Sequence, residues 1–81
     1  MSQTNKDHIG RRAKIAGEIR AELGRQHKTA VELSKAIGIS PSTLTRRLAG
    51  KQPFFLEELE DIARFLGLPV SELTGRTEDA A

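Results

Sequence analysis

Two segments with strong helix start and stop signals lie close together in this sequence, and they restrict its fold more than any other feature. Thr29-Ala30-Val31-Glu32 matches a capping box, in which the Thr and Glu side chains satisfy free backbone N–H groups. Gly38 supplies the left-handed residue that ends many helices. Ser40 and Pro41 suit the cap and first residue of a second helix, which Gly50 ends. The sequence therefore predicts two short helices with three residues between them.

Apolar spacing elsewhere predicts three further helices and no strand. One helix is predicted over about 7–23 and another over about 56–66, where apolar residues recur with the i, i+3, i+4, i+7 spacing. A last short turn is predicted at 70–73. Gly10 and Gly17 each weaken the first helix by about 1 kcal/mol relative to alanine, so we expect it to fray or break in its first half. The predicted fold class is all-α.

Length and composition narrow the class of protein. The 81 residues suit a single domain, and the absence of cysteine excludes disulfides, thiolate metal sites and cysteine nucleophiles. No apolar run approaches the roughly 18 residues of a transmembrane helix. Residues 1–6 are polar and lack the apolar segment of a secretory signal. These features predict a cytoplasmic protein.

Charge is unevenly distributed along the chain. Residues 1–51 hold 11 Lys and Arg against four Asp and Glu, whereas residues 52–81 hold two against seven, for a net charge of +2. No acidic residue occurs between Leu33 and Phe55. A basic, acid-free stretch of this kind is typical of a surface that meets phosphates, although charge asymmetry alone is equally compatible with a solvated surface.

The two short helices have the spacing of a helix-turn-helix, whose second helix enters the major groove of DNA. In the second helix, predicted over 41–49, Leu44 and Leu48 lie one turn apart and face inward. The side chains that remain outside are all polar or basic: Ser42, Thr43, Thr45, Arg46 and Arg47. This pattern predicts a recognition helix.

The sequence resembles the Cro/repressor-type helix-turn-helix family of phage and bacterial regulators over residues 15–73. The residues that carry the resemblance are Ile19-Arg20, Thr29, Glu32-Leu33-Ser34, Ile37 to Ser40, Ser42-Thr43-Leu44, Arg46, Gly50-Lys51, Leu59, Ile62-Ala63 and Leu66-Gly67-Leu68. The resemblance implies a compact five-helix repressor-like DNA-binding domain, here 7–74, between a flexible N-terminal arm (1–6) and a flexible C-terminal tail (75–81).

Three positions depart from the family pattern. Ala30 stands where the family usually has a glutamine that helps to hold a phosphate, so that role is not carried over. Arg47 takes a position that is usually apolar, and we expect it on the flank of the helix near a phosphate. Phe55 replaces the usual capping Thr or Ser, so one of Phe54 and Phe55 is expected in the core and the other exposed.

The expected DNA contacts fall into two groups. Arg46 is the principal base reader, because its guanidinium can bond both O6 and N7 of guanine. The predicted base-reading residues are Ser42, Thr43, Thr45 and Arg46, and the predicted phosphate contacts are Lys28, Thr29, Lys35, Ser40, Arg47 and Lys51. For Lys28 and Lys35 a solvated position is an equal alternative. The basic run Arg11, Arg12 and Lys14 is interpreted as a solvated helix end rather than a DNA-binding arm.

The predicted function is sequence-specific regulation of transcription, as a repressor or Cro-like switch in a bacterial or phage-infected cytoplasm. The family resemblance implies a homodimer on a near-palindromic operator. Independently of the resemblance, Phe55 and Phe65 are the candidate residues for a protein contact. The alternative is an antitoxin-type or other protein-binding module with the same fold. No catalytic constellation, metal cluster or phosphate loop occurs, so no enzyme activity, cofactor, metal or small-molecule ligand is predicted.

Overall fold

The computed structural model describes residues 2–74, and the side chains of residues 10–74. This part of the chain forms five helices and no strand: α1 (Ser2–Arg25), α2 (Ala30–Ile37), α3 (Pro41–Leu48), α4 (Leu56–Leu66) and α5 (Val70–Leu73). The predicted all-α class with five helices is confirmed. No helix within the described range is long and apolar enough to cross a membrane.

The core lies where all five helices meet. The five largest fully buried side chains come one from each helix, in chain order: Ile19, Leu33, Leu44, Ile62 and Leu73. Each helix thus contributes one large side chain that leaves water completely, which is worth roughly 1.5–3 kcal/mol per residue. A two-turn helix such as α2 or α3 is marginal by itself, so this shared core supplies most of its stability.

The first helix differs most from the sequence prediction. It begins at Ser2 rather than near Asp7, and it runs through Gly10, Gly17 and Gly24 without a break. The prediction of a break is wrong because Ala16 and Ile19, on either side of Gly17, are buried and pack the helix against the core. The predicted flexible arm (1–6) therefore coincides mostly with the first turns of α1, while the predicted tail (75–81) lies outside the described residues.

The turn after α1 also differs from the prediction. The sequence predicts that the chain leaves the helix at Gly24, but α1 continues to Arg25. His27 instead takes the left-handed conformation, with φ of 57°. The N–H of Lys28 then donates to the carbonyl of Leu23 at 2.9 Å, which closes the end of the helix. The chain enters α2 directly afterwards.

Candidate nucleic-acid interface

The turn between α2 and α3 is built as the sequence predicts. Gly38 has φ of 75°, and its N–H donates to the carbonyl of Ser34. The N–H of Ile39 donates to the same carbonyl at 3.2 Å, so that both groups close the end of α2. Ser34 is itself buried, and its hydroxyl donates to the carbonyl of Val31 within α2 at 2.8 Å. A small side chain at this position lets α2 and α3 pack closely.

Both helices of the motif begin with a side-chain cap. The hydroxyl of Thr29 accepts the N–H of Glu32 at 3.1 Å, and the Glu32 carboxylate accepts the N–H of Thr29 at 2.8 Å, which confirms the capping box. The hydroxyl of Ser40 accepts the N–H of Thr43 at 3.2 Å at the start of α3. Thr29 and Ser40 are both exposed. The two predicted phosphate contacts therefore sit at helix N-termini, where the dipole favours an anion.

The outer face of α3 carries the predicted base readers. Ser42, Thr45 and Arg46 are exposed, whereas Thr43 is half-buried and its hydroxyl lies 2.9 Å from that of Ser40. The Thr45 hydroxyl donates to the carbonyl of Pro41 at 2.9 Å, which leaves its oxygen lone pairs and its methyl group for an outside partner. Leu44 and Leu48 are buried on the opposite face. The structure thus brings the predicted readers together on one exposed surface.

Three cations on this part of the protein have no internal partner. Lys35, Arg46 and Lys51 are exposed, and none of them makes an ion pair or a side-chain hydrogen bond within the described residues. The acid-free stretch between Leu33 and Phe55 keeps their charge uncompensated in the local sequence. Exposed cations without a competing carboxylate are what a phosphate-binding surface requires.

Lys28, another predicted phosphate contact, is engaged inside the protein. Its ammonium group donates to the carbonyl of Phe65 at 3.0 Å and lies 4.6 Å from the centroid of the Phe65 ring. The neighbouring Gln26 side chain donates to the carbonyl of Leu66 at 2.9 Å. Both groups satisfy free carbonyls at the C-terminal end of α4, where the helix dipole favours a cation. Sequence reasoning missed these contacts, because the acceptors are backbone atoms of a distant helix.

Arg47, also predicted to meet a phosphate, pairs with a carboxylate instead. Its Nη1 atom forms an ion pair with Oε2 of Glu58 in the first turn of α4, and the side chains are only 13% and 16% exposed. The guanidinium carbon also lies 5.1 Å from the centroid of the Phe55 ring. Sequence reasoning missed Glu58 because its neighbours in the chain are also acidic. The signal that could have found it is an arginine in a usually apolar position followed by a nearby acid.

The two phenylalanines before α4 divide as expected. Phe54 is half-buried and packs against the core, whereas Phe55 is 60% exposed and its neighbour Leu56 is 63% exposed. Phe65 packs at the edge of the core beneath Lys28, which makes Phe55 the more accessible of the two candidate dimer contacts. Within the described residues no group of three or more His, Cys, Asp or Glu side chains is placed to hold a metal ion.

The comparisons with known proteins agree with this geometry. A family model described as helix-turn-helix matches residues 19–73, which include the last part of α1 and all of the other four helices. Neither a curated protein nor a solved structure matches the chain. The matched range contains every predicted base-reading and phosphate-contacting residue.

Proposed function

The chain belongs to the Cro/repressor-type helix-turn-helix family of DNA-binding regulators, and from this premise we propose that it reads a specific operator and regulates transcription. It acts in this proposal as a repressor or Cro-like switch in the cytoplasm of a bacterium or of a phage-infected host. The N-terminal part of α3 enters the major groove. The observation that carries the proposal is the outer face of α3, where exposed Arg46 has no internal partner among the described residues.

In this proposal, contacts to bases supply sequence specificity, and contacts to phosphates supply affinity and fix the register on DNA. Arg46 bonds a guanine edge, and Ser42 and Thr45 contact neighbouring bases, while Thr43 supports the start of the helix through its hydroxyl contact with Ser40. Lys35 and Lys51 bind phosphates together with the exposed helix starts at Thr29 and Ser40. Lys28 and Arg47 are not among the proposed DNA contacts, because each already has a partner within the protein.

We also propose that the protein binds as a homodimer on a near-palindromic site. A dimer places two recognition helices about 34–36 Å apart, one turn of DNA. Adjacent Phe55 and Leu56 form an exposed apolar surface at the start of α4, which is the support for a protein contact. The same surface supports the alternative, an antitoxin-type module whose main ligand is a different protein.

The proposal is tested by fluorescence anisotropy with two DNA duplexes. One is enriched from a random-sequence pool by the wild-type protein, and the other has the same base composition in shuffled order. We expect Arg46→Ala to weaken binding to the enriched duplex about 5- to 150-fold, which corresponds to the roughly 1–3 kcal/mol of a bidentate guanine contact. Binding to the shuffled duplex is expected to change much less.

Arg64→Ala is the matched control. Arg64 lies in α4, its side chain is 77% exposed, and it pairs with Asp61 on its own helix. Arg64→Ala therefore removes one positive charge, as Arg46→Ala does, but at a position outside α3. We expect it to leave the preference for the enriched duplex unchanged. Failure to enrich any sequence, or equal effects of the two substitutions, would contradict sequence reading by α3.

A further inference from the structure

Arg47 is the one cation of α3 that faces the body of the protein. Its neighbour Arg46 is exposed, but the Arg47 side chain is 13% exposed and lies between the carboxylate of Glu58 and the ring of Phe55. Nε and Nη1 of Arg47 are buried and make no hydrogen bond within the described residues, so Nη1 meets Glu58 as an ion pair only. A group with this geometry cannot reach a phosphate without giving up its partner, and the carboxylate left behind would then be uncompensated.

Glu58 uses its two oxygens for two different elements. Oε1 accepts the backbone N–H of Phe55 at 2.9 Å, which caps the start of α4 in place of a side-chain cap that Phe55 itself cannot supply. Oε2 forms the ion pair with Arg47. One carboxylate therefore ties the first turn of α4 to the last turn of α3. This ion pair joins two particular atoms, whereas the packing of apolar side chains is non-directional.

Besides its packing against α1 and α2, few polar contacts hold α3 in its orientation. The helix has eight residues, so it is too short to be stable alone, and its direction is set by its neighbours. Leu44 and Leu48 bury its inner face, and a guanidinium nitrogen of Arg20 donates to the carbonyl of Leu48. Among the described contacts, the Arg47–Glu58 pair is the ion pair that joins a side chain of α3 to another helix.

We infer that Arg47 and Glu58 are positioning residues for sequence reading. Their ion pair fixes the rotation of the last turn of α3, and it thereby sets the direction in which adjacent Arg46 leaves the helix. Neither residue contacts DNA. This inference rests on the proposed function, because a direction for Arg46 matters only if Arg46 reads a base. It assigns the specificity of the protein partly to α4, outside the helix-turn-helix.

The test uses the full chain and three variants: Arg47→Gln, Glu58→Gln and the double variant. Glu58→Gln keeps an amide oxygen for the Phe55 N–H, so that the cap of α4 survives while the charge is lost. Affinities for the enriched and shuffled duplexes are measured at several salt concentrations. The temperature is kept below the unfolding transition of each variant. The ratio of the two affinities is the decisive value, because partial unfolding lowers both affinities by the same factor.

We expect each single variant to lower this affinity ratio about tenfold. A tenfold loss is part of the discrimination between bases that one well-placed arginine supplies. The double variant is expected to match the single variants rather than multiply their effects, because both remove the same pair. The slope of log affinity against log salt stays unchanged in Arg47→Gln. If that variant does not fold, Arg47→Met, which retains an apolar chain of similar length, is measured with the same expectations.

Three outcomes overturn the inference in distinguishable ways. A salt slope reduced by about 0.9 in Arg47→Gln, with equal losses on both duplexes, would make Arg47 a phosphate ligand. An unchanged affinity ratio in Glu58→Gln would make the pair a purely structural contact. A wild-type protein that enriches no sequence from the random pool refutes the proposed function itself, and the positioning role with it. The first two outcomes leave the proposed function intact.

Discussion

The junction between α1 and the end of α3 makes a quantitative prediction about Gly50. Gly50 has φ of 79°, and a Cβ atom added to it would lie 3.3 Å from Cα of Ala13 in α1. Gly38 has nearly the same backbone conformation, with φ of 75°, but a Cβ atom added there would have nothing within 4 Å. Alanine substitutions at the two glycines therefore share the same backbone penalty and differ in the contact with α1.

The size of each effect follows from these distances. A left-handed conformation costs an L-residue about 1–2 kcal/mol, and alanine offsets about 0.4–1 kcal/mol of this by restricting the unfolded chain. Gly38→Ala should therefore destabilise the fold by about 1 kcal/mol. At Gly50 the added methyl group is closer to a backbone carbon than the optimal ~3.5–4.0 Å, and such overpacking costs about 1–3 kcal/mol more. We expect Gly50→Ala to cost about 2–4 kcal/mol.

Circular dichroism during urea and thermal unfolding measures the difference. For a domain of this size each 1 kcal/mol corresponds to about 4–8 °C in Tm, so the Gly50→Ala variant should melt well below the Gly38→Ala variant. Equal losses of stability in the two variants would refute the close approach of α1 to the end of α3. A smaller loss at Gly50 than at Gly38 would contradict it more strongly.

Two further predictions concern the start of α2 and the exposed surface of α4. Thr29→Ala should lower the free energy of unfolding by about 1 kcal/mol, because it removes the hydroxyl that accepts the Glu32 N–H. Ser42→Ala is the control and should leave the free energy of unfolding unchanged. Equal melting curves for the two variants would count against the capping role of Thr29. Phe55→Ser should shift the protein from dimer to monomer in sedimentation velocity, with Val31→Ser, another exposed apolar residue, as the control. A wild-type protein that sediments as a monomer well above micromolar concentration would refute the proposed dimer.

Local signals made the centre of the motif predictable from the sequence. The capping box at Thr29, the left-handed Gly38 and the cap at Ser40 each depend on residues within one turn of one another. The predicted recognition helix (41–49) is observed as α3 with one residue fewer, and Leu44 and Leu48 are buried as expected. Such features can be derived from the sequence because no distant partner decides them.

Contacts between distant segments account for what the sequence did not predict. Lys28 and Arg47 are basic residues in a basic region, and apart from the usually apolar position of Arg47 nothing nearby in the sequence distinguishes them from Lys35 or Arg46. Their partners, Phe65 and Glu58, come from α4 and become neighbours only in the folded chain. Charge and spacing can therefore predict which face is basic, but the fold decides which cations on it remain free to bind DNA.

The continuity of α1 has the same explanation. Glycines at 10, 17 and 24 lower the intrinsic helix propensity, and propensity alone predicts an interruption. Burial of Ala16, Ile19 and Leu23 along one face outweighs that penalty. At the turn after α1 His27 rather than the nearest glycine takes the left-handed position, and Gln26 beside it donates to the carbonyl of Leu66 in α4.

Repeating the selection from a random-sequence pool with Arg46→Ala tests most directly whether α3 reads base sequence through Arg46. The wild-type protein should enrich two related half-sites about one helical turn apart. The variant should enrich a consensus that has lost its preference at the same base pair of each half-site and keeps it elsewhere. An identical consensus for both proteins, or no enriched sequence with the wild type, would contradict the assignment of sequence reading to this helix.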